Sequence, residues 1–433
     1  MLLVAEAANP EWASVPLVGW SHCEALTKLV DAHVVTQTRN RDAIVRAGWR
    51  ERVEFTALDS EAAARPLWRA DRVIRAATGL GWTLTTALAA LPYYHFEHLV
   101  WRRFGERIRS GEFGIVHRIT PLSPTIPSLL AARCRDAGAH FVWGPINGGV
   151  PWPRAFAGVQ RQEGEWLSHV RSAYKLLPAY RSTREHASAI LVGSRDTWSD
   201  MPVRFHPRCV YVPENAVDPA RFALSVRGPV ARPLRVAFVG RLVPYKGADM
   251  LIEACAPLIR SGEVALDIIG DGPEMPRLRG LAEELDVAEG VALDGWVAHT
   301  ELQARLVGSD VFAFPSVREF GGGVVLEAMA LGLVPVVVDY GGPGELVTES
   351  TGFRIPLAGR AELVERFRAC LGELAAHPER IRAMGERARA RVFASFTWSA
   401  KAEQTREIYR WILGEGPKPD FGVPFGEPAS TAA

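Results

Sequence analysis

The 433-residue chain has almost no net charge, no paired cysteines and no long apolar run. Each lack removes a class of function. Lys and Arg number 50 against 49 Asp and Glu, so no overall basic field draws nucleic acid. The five cysteines, Cys23, Cys134, Cys209, Cys255 and Cys370, stand singly, with an odd total and no C-x-x-C. That spacing excludes a disulfide framework and a cysteine zinc site, and it fits a reducing compartment. No stretch reaches the ~18 uninterrupted apolar residues of a spanning helix. The opening MLLVAEAANPEW lacks the basic and apolar regions of a signal peptide. A cytoplasmic protein is expected. No G-x-G-x-x-G follows a strand-like run, which removes a nicotinamide dehydrogenase.

What is present is ordinary for a globular protein: 48% hydrophobic and 23% charged residues, in a chain long enough for two domains. The stretch GLGWTLTTALAALPYYHFEHLVWRRF, from Gly79 to Phe104, is aromatic-rich and ends in Arg102 and Arg103. It reads two ways: peripheral membrane contact through 79–104, or helices packed into the first domain and interrupted at Pro92.

From Leu234 onward, short apolar runs alternate with amphipathic stretches of helix length. RVAFVG, ALDIIG, VFAFP and VPVVV read as buried strands, with ADMLIEACAPLIRSG, PRLRGLAEELDVAEG and TELQARLVGS as the helices between them. Strands this apolar imply a parallel sheet covered on both faces. The first half repeats the theme in LVDAHVVTQ, FGIVHRIT, HFVWGPI, ASAILVGS and RCVYVPEN. The expected layout is a first Rossmann-like domain over 1–212, a linker over 213–233 and a second domain over 234–395. A helix over 396–414 and a Gly/Pro-rich flexible tail over 415–433 follow. The chain begins almost inside its first strand-like run, as one short of some upstream residues would.

In doubly wound sheets ligands bind beyond the carboxyl ends of the strands, and the chemistry-bearing residues fall there. GRLVPYKG follows the first strand of the second domain and sets Gly240, Arg241 and Lys246 beside a helix N-terminus. Two cations, backbone amides and the helix dipole make an anion site, although a surface loop with two solvated charges would look the same in isolation. GDGPE, with Gly270, Asp271 and Gly272, lets backbone approach a flat or anionic ligand. GWV, ending at Val297, offers apolar main chain to a nucleobase. REFGGGVVLEAMA carries Glu319 in a loop and Glu327 in the following helix, eight positions apart across Gly321, Gly322 and Gly323. A carboxylate accepts two hydrogen bonds, which suits a vicinal diol, and uncovered amides suit phosphate or a sugar ring. GGPGE, Gly341 to Glu345, repeats the same chemistry alongside.

These runs in combination resemble the donor-binding domain of glycosyltransferase family 4, and the two glutamates its E-x7-E signature. PENAVDPARF and FTWSAKAEQTREIY resemble segments of the same family, so the likeness spans nearly the whole chain. The resemblance implies an α/β GT-B fold: two doubly wound Rossmann-like domains facing across a cleft, with a C-terminal helix crossing back to the first. It implies a retaining glycosyltransferase that moves a sugar from a nucleotide-diphosphate sugar to a hydroxyl acceptor, with no cofactor and no metal. No D-x-D pair is present to hold a metal diphosphate. Arg241 and Lys246 would hold the diphosphate, Glu327 the ribose and Glu319 the transferred sugar, with amides from Phe320 to Gly323 assisting and Val324 beside them. Glu319, Arg241 and Lys246 would be the catalytic set.

The first domain departs from the family pattern. His117 takes the first place of the family's H-x-H, but Ile119 stands at the second. Gly19, His22 and Asn147 are the other acceptor-side candidates. A glycoside phosphorylase or sucrose/trehalose-type synthase on the same fold, or a non-catalytic binding protein, are the alternatives.

Overall fold

The computed structural model describes residues 1–61, 82–162, 174–225 and 228–421. Its chain divides into two units. One comprises Met1–Gly149, Gly164–Glu214 and Trp398–Ala433, and the other Val150–Glu163 and Asn215–Thr397. The division departs from the expected layout in two places. The segment beginning at Val150 joins the second unit, because Phe156 is buried in that unit's core and the Tyr340 hydroxyl donates to the Pro151 carbonyl at 2.6 Å. The expected linker, from Asn215 on, is also part of that unit: Val217 and Phe222 are core residues, and the Val217 amide bonds the Phe396 carbonyl at 2.8 Å.

The first unit is built on a seven-stranded parallel sheet in the order β3-β2-β1-β4-β5-β6-β7. Its strands are β1 (Leu2–Ala5), β2 (His33–Gln37), β3 (Phe55–Leu58), β4 (Ile115–Thr120), β5 (His140–Ile146), β6 (Ala187–Val192) and β7 (Cys209–Tyr211). The central strands are buried throughout, as a sheet with helices on both faces requires. The Trp82–Arg109 helix runs through Pro92, against the expected interruption there. Tyr93, Phe96, Val100, Phe104 and Ile108 recur at helical spacing and are buried in the unit's core. That packing outweighs the roughly 3 kcal/mol a mid-helix proline costs. It also commits the helix's apolar side to the interior from Tyr93 on, while Arg102 and Arg103 are exposed. Gly79 to Gly81, the start of the candidate membrane stretch, lie outside the described residues.

The Trp398–Ile412 helix completes this unit, burying Ala402, Ile408 and Tyr409 among Leu3, Val34 and Val142. Part of the expected tail is described as far as Phe421, and it is tied down: the Lys418 ammonium donates to the His206 carbonyl at 3.2 Å. Residues 422–433 lie outside the described residues.

The second unit holds a six-stranded parallel sheet in the order β10-β9-β8-β11-β12-β13. Its strands are β8 (Leu234–Val239), β9 (Val264–Ile269), β10 (Val291–Gly295), β11 (Val311–Phe314), β12 (Val334–Asp339) and β13 (Phe353–Pro356). The order reverses direction between β8 and β11, which are neighbours although far apart in sequence. At such a switch point the two following loops diverge and leave a crevice at the strands' carboxyl ends. Among the described residues no helix is long and apolar enough to cross a membrane.

Candidate active site

The crevice of the second unit is framed by the loops after β8 and β11. After β8, Gly240–Val243 leads to a turn over Pro244–Lys246 and then to the Ala248–Arg260 helix. After β11, Pro315–Gly321 leads to Gly322, whose φ of 62° opens the Gly323–Leu331 helix. The loops are stitched together: the Val317 amide bonds the Tyr245 carbonyl at 3.0 Å, and a Cβ on Gly247 would lie 2.7 Å from the Pro315 carbonyl oxygen.

This stitching brings Lys246 onto Glu319, so that the ammonium donates directly to a carboxylate oxygen. The ammonium also lies 5.1 Å from the Phe314 ring centroid and 5.6 Å from that of Tyr245. Burial among these groups pushes the lysine down to about 8. Arg241 is exposed at the mouth of the β8 loop. Both helices open without a side-chain cap, leaving amides available to an anion. The site therefore gathers a lysine–glutamate pair, an exposed arginine and two helix N-termini at one switch point.

The glycines of the neighbouring loops also make room for one another's backbone. A Cβ on Gly270 would lie 1.9 Å from the Gly240 carbonyl oxygen, and one on Gly272 2.3 Å from that of Leu242. The Leu242 amide bonds the Asp271 carbonyl at 3.0 Å. Gly341 and Gly342 likewise face the Glu319 and Phe320 carbonyls, at 2.3 and 2.2 Å from where a Cβ would sit. At these positions the missing side chain makes room for another loop's backbone, which holds the β8 and β11 loops in place. Asp271 itself is exposed, its carboxylate accepting from the Gly272 amide at 2.7 Å.

Glu327 lies in the second turn of the Gly323–Leu331 helix, where its carboxylate accepts from His299 Nε2 at 2.7 Å. That bond, ahead of the opposing effect of burial, raises the imidazole's pKa. Val297 is packed on the core from the same loop, and Trp296 beside it is 75% exposed.

Residues 226–391 match the family described as "Glycosyl transferases group 1". The chain is 35% identical over 300 residues to a GDP-mannose-dependent alpha-(1-6)-phosphatidylinositol monomannoside mannosyltransferase of Mycobacterium tuberculosis, a match covering 65% of this chain and 73% of that protein. The chain belongs to the group 1 glycosyl transferases. It is also 34% identical over 202 residues to a glycogen synthase of the same species, covering 46% of this chain and 48% of the relative. The match thus spans about half the length of that protein. Its fold is shared with a sucrose-phosphate synthase of Thermosynechococcus elongatus, at a TM-score of 0.61 and 16% identity over 96% of this chain and 99% of the other. Two parallel sheets flanked by helices make this chain a two-domain α/β protein of GT-B fold.

The acceptor-side candidates lie in the first unit's interior. His22 and Gly19 are on the Val15–Thr27 helix, where His22 is 1% exposed and its Nε2 meets the Thr405 hydroxyl at 3.1 Å. His117 is fully buried within β4. Its Nε2 donates to the Gly144 carbonyl at 2.6 Å, so its Nδ1 is left to accept from the Tyr409 hydroxyl at 2.5 Å. Burial pushes this imidazole down to about 4 and keeps it neutral. A Cβ on Gly19 would collide with the Ala7 carbonyl, so this glycine serves helix–strand packing. Asn147 is spent on Glu214, donating to both carboxylate oxygens at 2.9 Å. As placed, His22 and His117 hold the Trp398–Ile412 helix, and His22 Nδ1 is buried without a hydrogen-bond partner.

Sequence reasoning passed over two residues of the second unit's crevice. His299 carries no motif, and its position four residues past the end of β10 is its one signal. Trp152 comes from the Val150 segment and meets Tyr245 edge-on at 6.0 Å, with the Arg318 guanidinium 4.8 Å from its ring centroid.

Proposed function

We propose that this protein is a retaining glycosyltransferase that moves a sugar from a nucleotide-diphosphate sugar to a hydroxyl acceptor, without a resident metal. One observation carries the reading: Lys246 and Glu319 meet at the β8/β11 switch point, with Glu327 one helix turn further on. In this reading Lys246, Arg241 and the amides opening the two helices take the diphosphate, Glu327 the ribose hydroxyls and Glu319 the transferred sugar. The nucleobase lies against the main chain at Val297. As the sugar–oxygen bond breaks, charge grows on the leaving diphosphate, and fixed cations already aimed there lower the barrier. The departing phosphate oxygen takes the acceptor's proton as the acceptor attacks the same face, which retains the configuration. The five cysteines, none in a disulfide, suit a reducing compartment, which supports a cytoplasmic setting for this chemistry.

The relative named as GDP-mannose-dependent puts GDP-mannose first among the donors to assay. Donor-dependent release of nucleoside diphosphate in the presence of EDTA supports the reading. Lys246→Ala should slow it about a hundredfold, the usual cost of one group stabilising transition-state charge. Activity lost to EDTA, or full turnover in Lys246→Ala, would overturn it. Sugar release that requires inorganic phosphate would point instead to a phosphorylase.

A further inference from the structure

Glu327 already has a partner, and that partner belongs to a longer row. His299 Nε2 stands 2.7 Å from Glu327 Oε1, and the other ring nitrogen, Nδ1, stands 3.5 Å from an Arg221 guanidinium nitrogen. Arg221 in turn lies 3.8 Å from Asp218, and the Phe222 ring meets the imidazole edge at 6.0 Å between centroids. The row Asp218–Arg221–His299–Glu327 joins three separate elements: the turn before Phe222, the loop after β10 and the Gly323–Leu331 helix. The charged groups facing His299 are therefore Glu327 on one side and Arg221 on the other.

These two neighbours constrain the ring. Arg221 can only donate, so it favours an unprotonated Nδ1, which places the single N–H on Nε2 toward Glu327. Glu327 favours the imidazolium, in which Nε2 again carries a proton. In both protonation states Nε2–H points at Oε1, so the carboxylate keeps its donor across the neutral pH range. A carboxylate offers about four lone-pair directions, and fixing one oxygen leaves the other to face a ligand in a set plane. An unanchored glutamate would lose rotamer freedom on gripping a diol, and this one has lost it beforehand.

We propose that His299 is a positioning residue for the nucleotide ribose: it anchors Glu327 Oε1 so that the carboxylate presents a fixed edge to a vicinal diol. The inference rests on the donor-site reading above. The alternative is that His299 only ties its loop to the helix, in which case its loss would weaken every ligand of the site equally.

The test is calorimetric titration of GDP, UDP and ADP at pH 7.5, followed by the 2′,3′-dideoxy form of the tightest binder. Wild type should prefer the ribonucleotide. His299→Ala should weaken the ribonucleotide about tenfold, the usual worth of a hydrogen bond to a charged group, and the dideoxy form less than twofold. His299→Gln, which keeps an N–H donor, should recover most of the loss. In a Glu327→Gln background, His299→Ala should cost nothing further. Equal losses on both nucleotides, or losses that add to those of Glu327→Gln, would overturn the proposal. If wild type binds none of the three nucleotides, the donor-site reading falls and this inference falls with it. Should His299→Ala fail to fold, His299→Asn, too short to reach Glu327, carries the same comparison.

Discussion

Replacing Glu319 with glutamine is expected to tighten the hold on a nucleoside diphosphate while abolishing sugar transfer. Lys246 is half-buried, and its ammonium is committed to the Glu319 carboxylate. An incoming phosphate must share that ammonium with a carboxylate of the same sign. Two acceptors on one ammonium sit roughly 4–5 Å apart, where unit charges at an effective dielectric of about 20 repel by ~4 kcal/mol. The pair is partly exposed, at 14% and 21%, so solvent screening leaves about half. The resulting ~2 kcal/mol is about thirtyfold in Kd. The comparison belongs at pH 6. Burial holds Lys246 down to about 8, and removing its carboxylate partner lowers it further, so at higher pH the variant loses the charge that binds phosphate. Titrating GDP or UDP into both proteins at pH 6, beside a transfer assay, reads both effects. A Glu319→Gln protein that binds nucleoside diphosphate no more tightly than wild type at pH 6 would refute the idea that the two compete for Lys246.

Two further tests address the scaffold. Gly272→Ala places a methyl group 2.3 Å from the Leu242 carbonyl oxygen and should cost about 1–3 kcal/mol in denaturant titrations and weaken nucleotide binding. Gly280→Ala, mid-helix with nothing within 4 Å of the new methyl, should instead stabilise by up to ~1 kcal/mol and leave binding unchanged. His117 is held down to about 4 against an ordinary 6.5, so between those values the unfolded chain binds a proton that the folded state refuses. Its contribution is complete above pH 6.5 and is lost as pH falls toward 4. Stability should therefore decline more steeply over that window in wild type than in His117→Asn, as followed by urea unfolding at each pH.

The parts of this fold that can be read from the sequence are those whose residues carry their own context. Strands β8, β9, β11 and β12 stand out because a central parallel strand is apolar on both faces. Edge strands β3 and β13, four residues each and mostly half-exposed or exposed, blend into their loops. Lys246, Glu319 and Glu327 are legible because each sits at a strand end or helix start defined by local pattern. Loop-against-loop contacts are not. Nothing local announces that Gly270, Gly272, Gly341 and Gly342 also make room for carbonyls of other loops. His117 reads as an acceptor-side residue at a strand end, yet the hydroxyl that meets it belongs to Tyr409, 292 positions away. His299 lies outside every pattern, since only the fold brings it to Glu327.

The assignment of chain segments to units has a consequence for how this protein can be made and cut. The polypeptide passes from one unit to the other after residues 149, 163, 214 and 397. Neither unit is therefore a contiguous gene fragment. A clone beginning at Asn215 would lack Phe156, leaving a hole in the core it tries to build. During synthesis the first unit waits longest: Ala402, Ile408 and Tyr409 close its interior, and they emerge from the ribosome near the end. Until then His22 and His117 have no hydroxyl to meet. Excising either half for study calls for circular permutation or a grafted 150–162 segment, and truncation before residue 412 is expected to yield an open, aggregation-prone first unit.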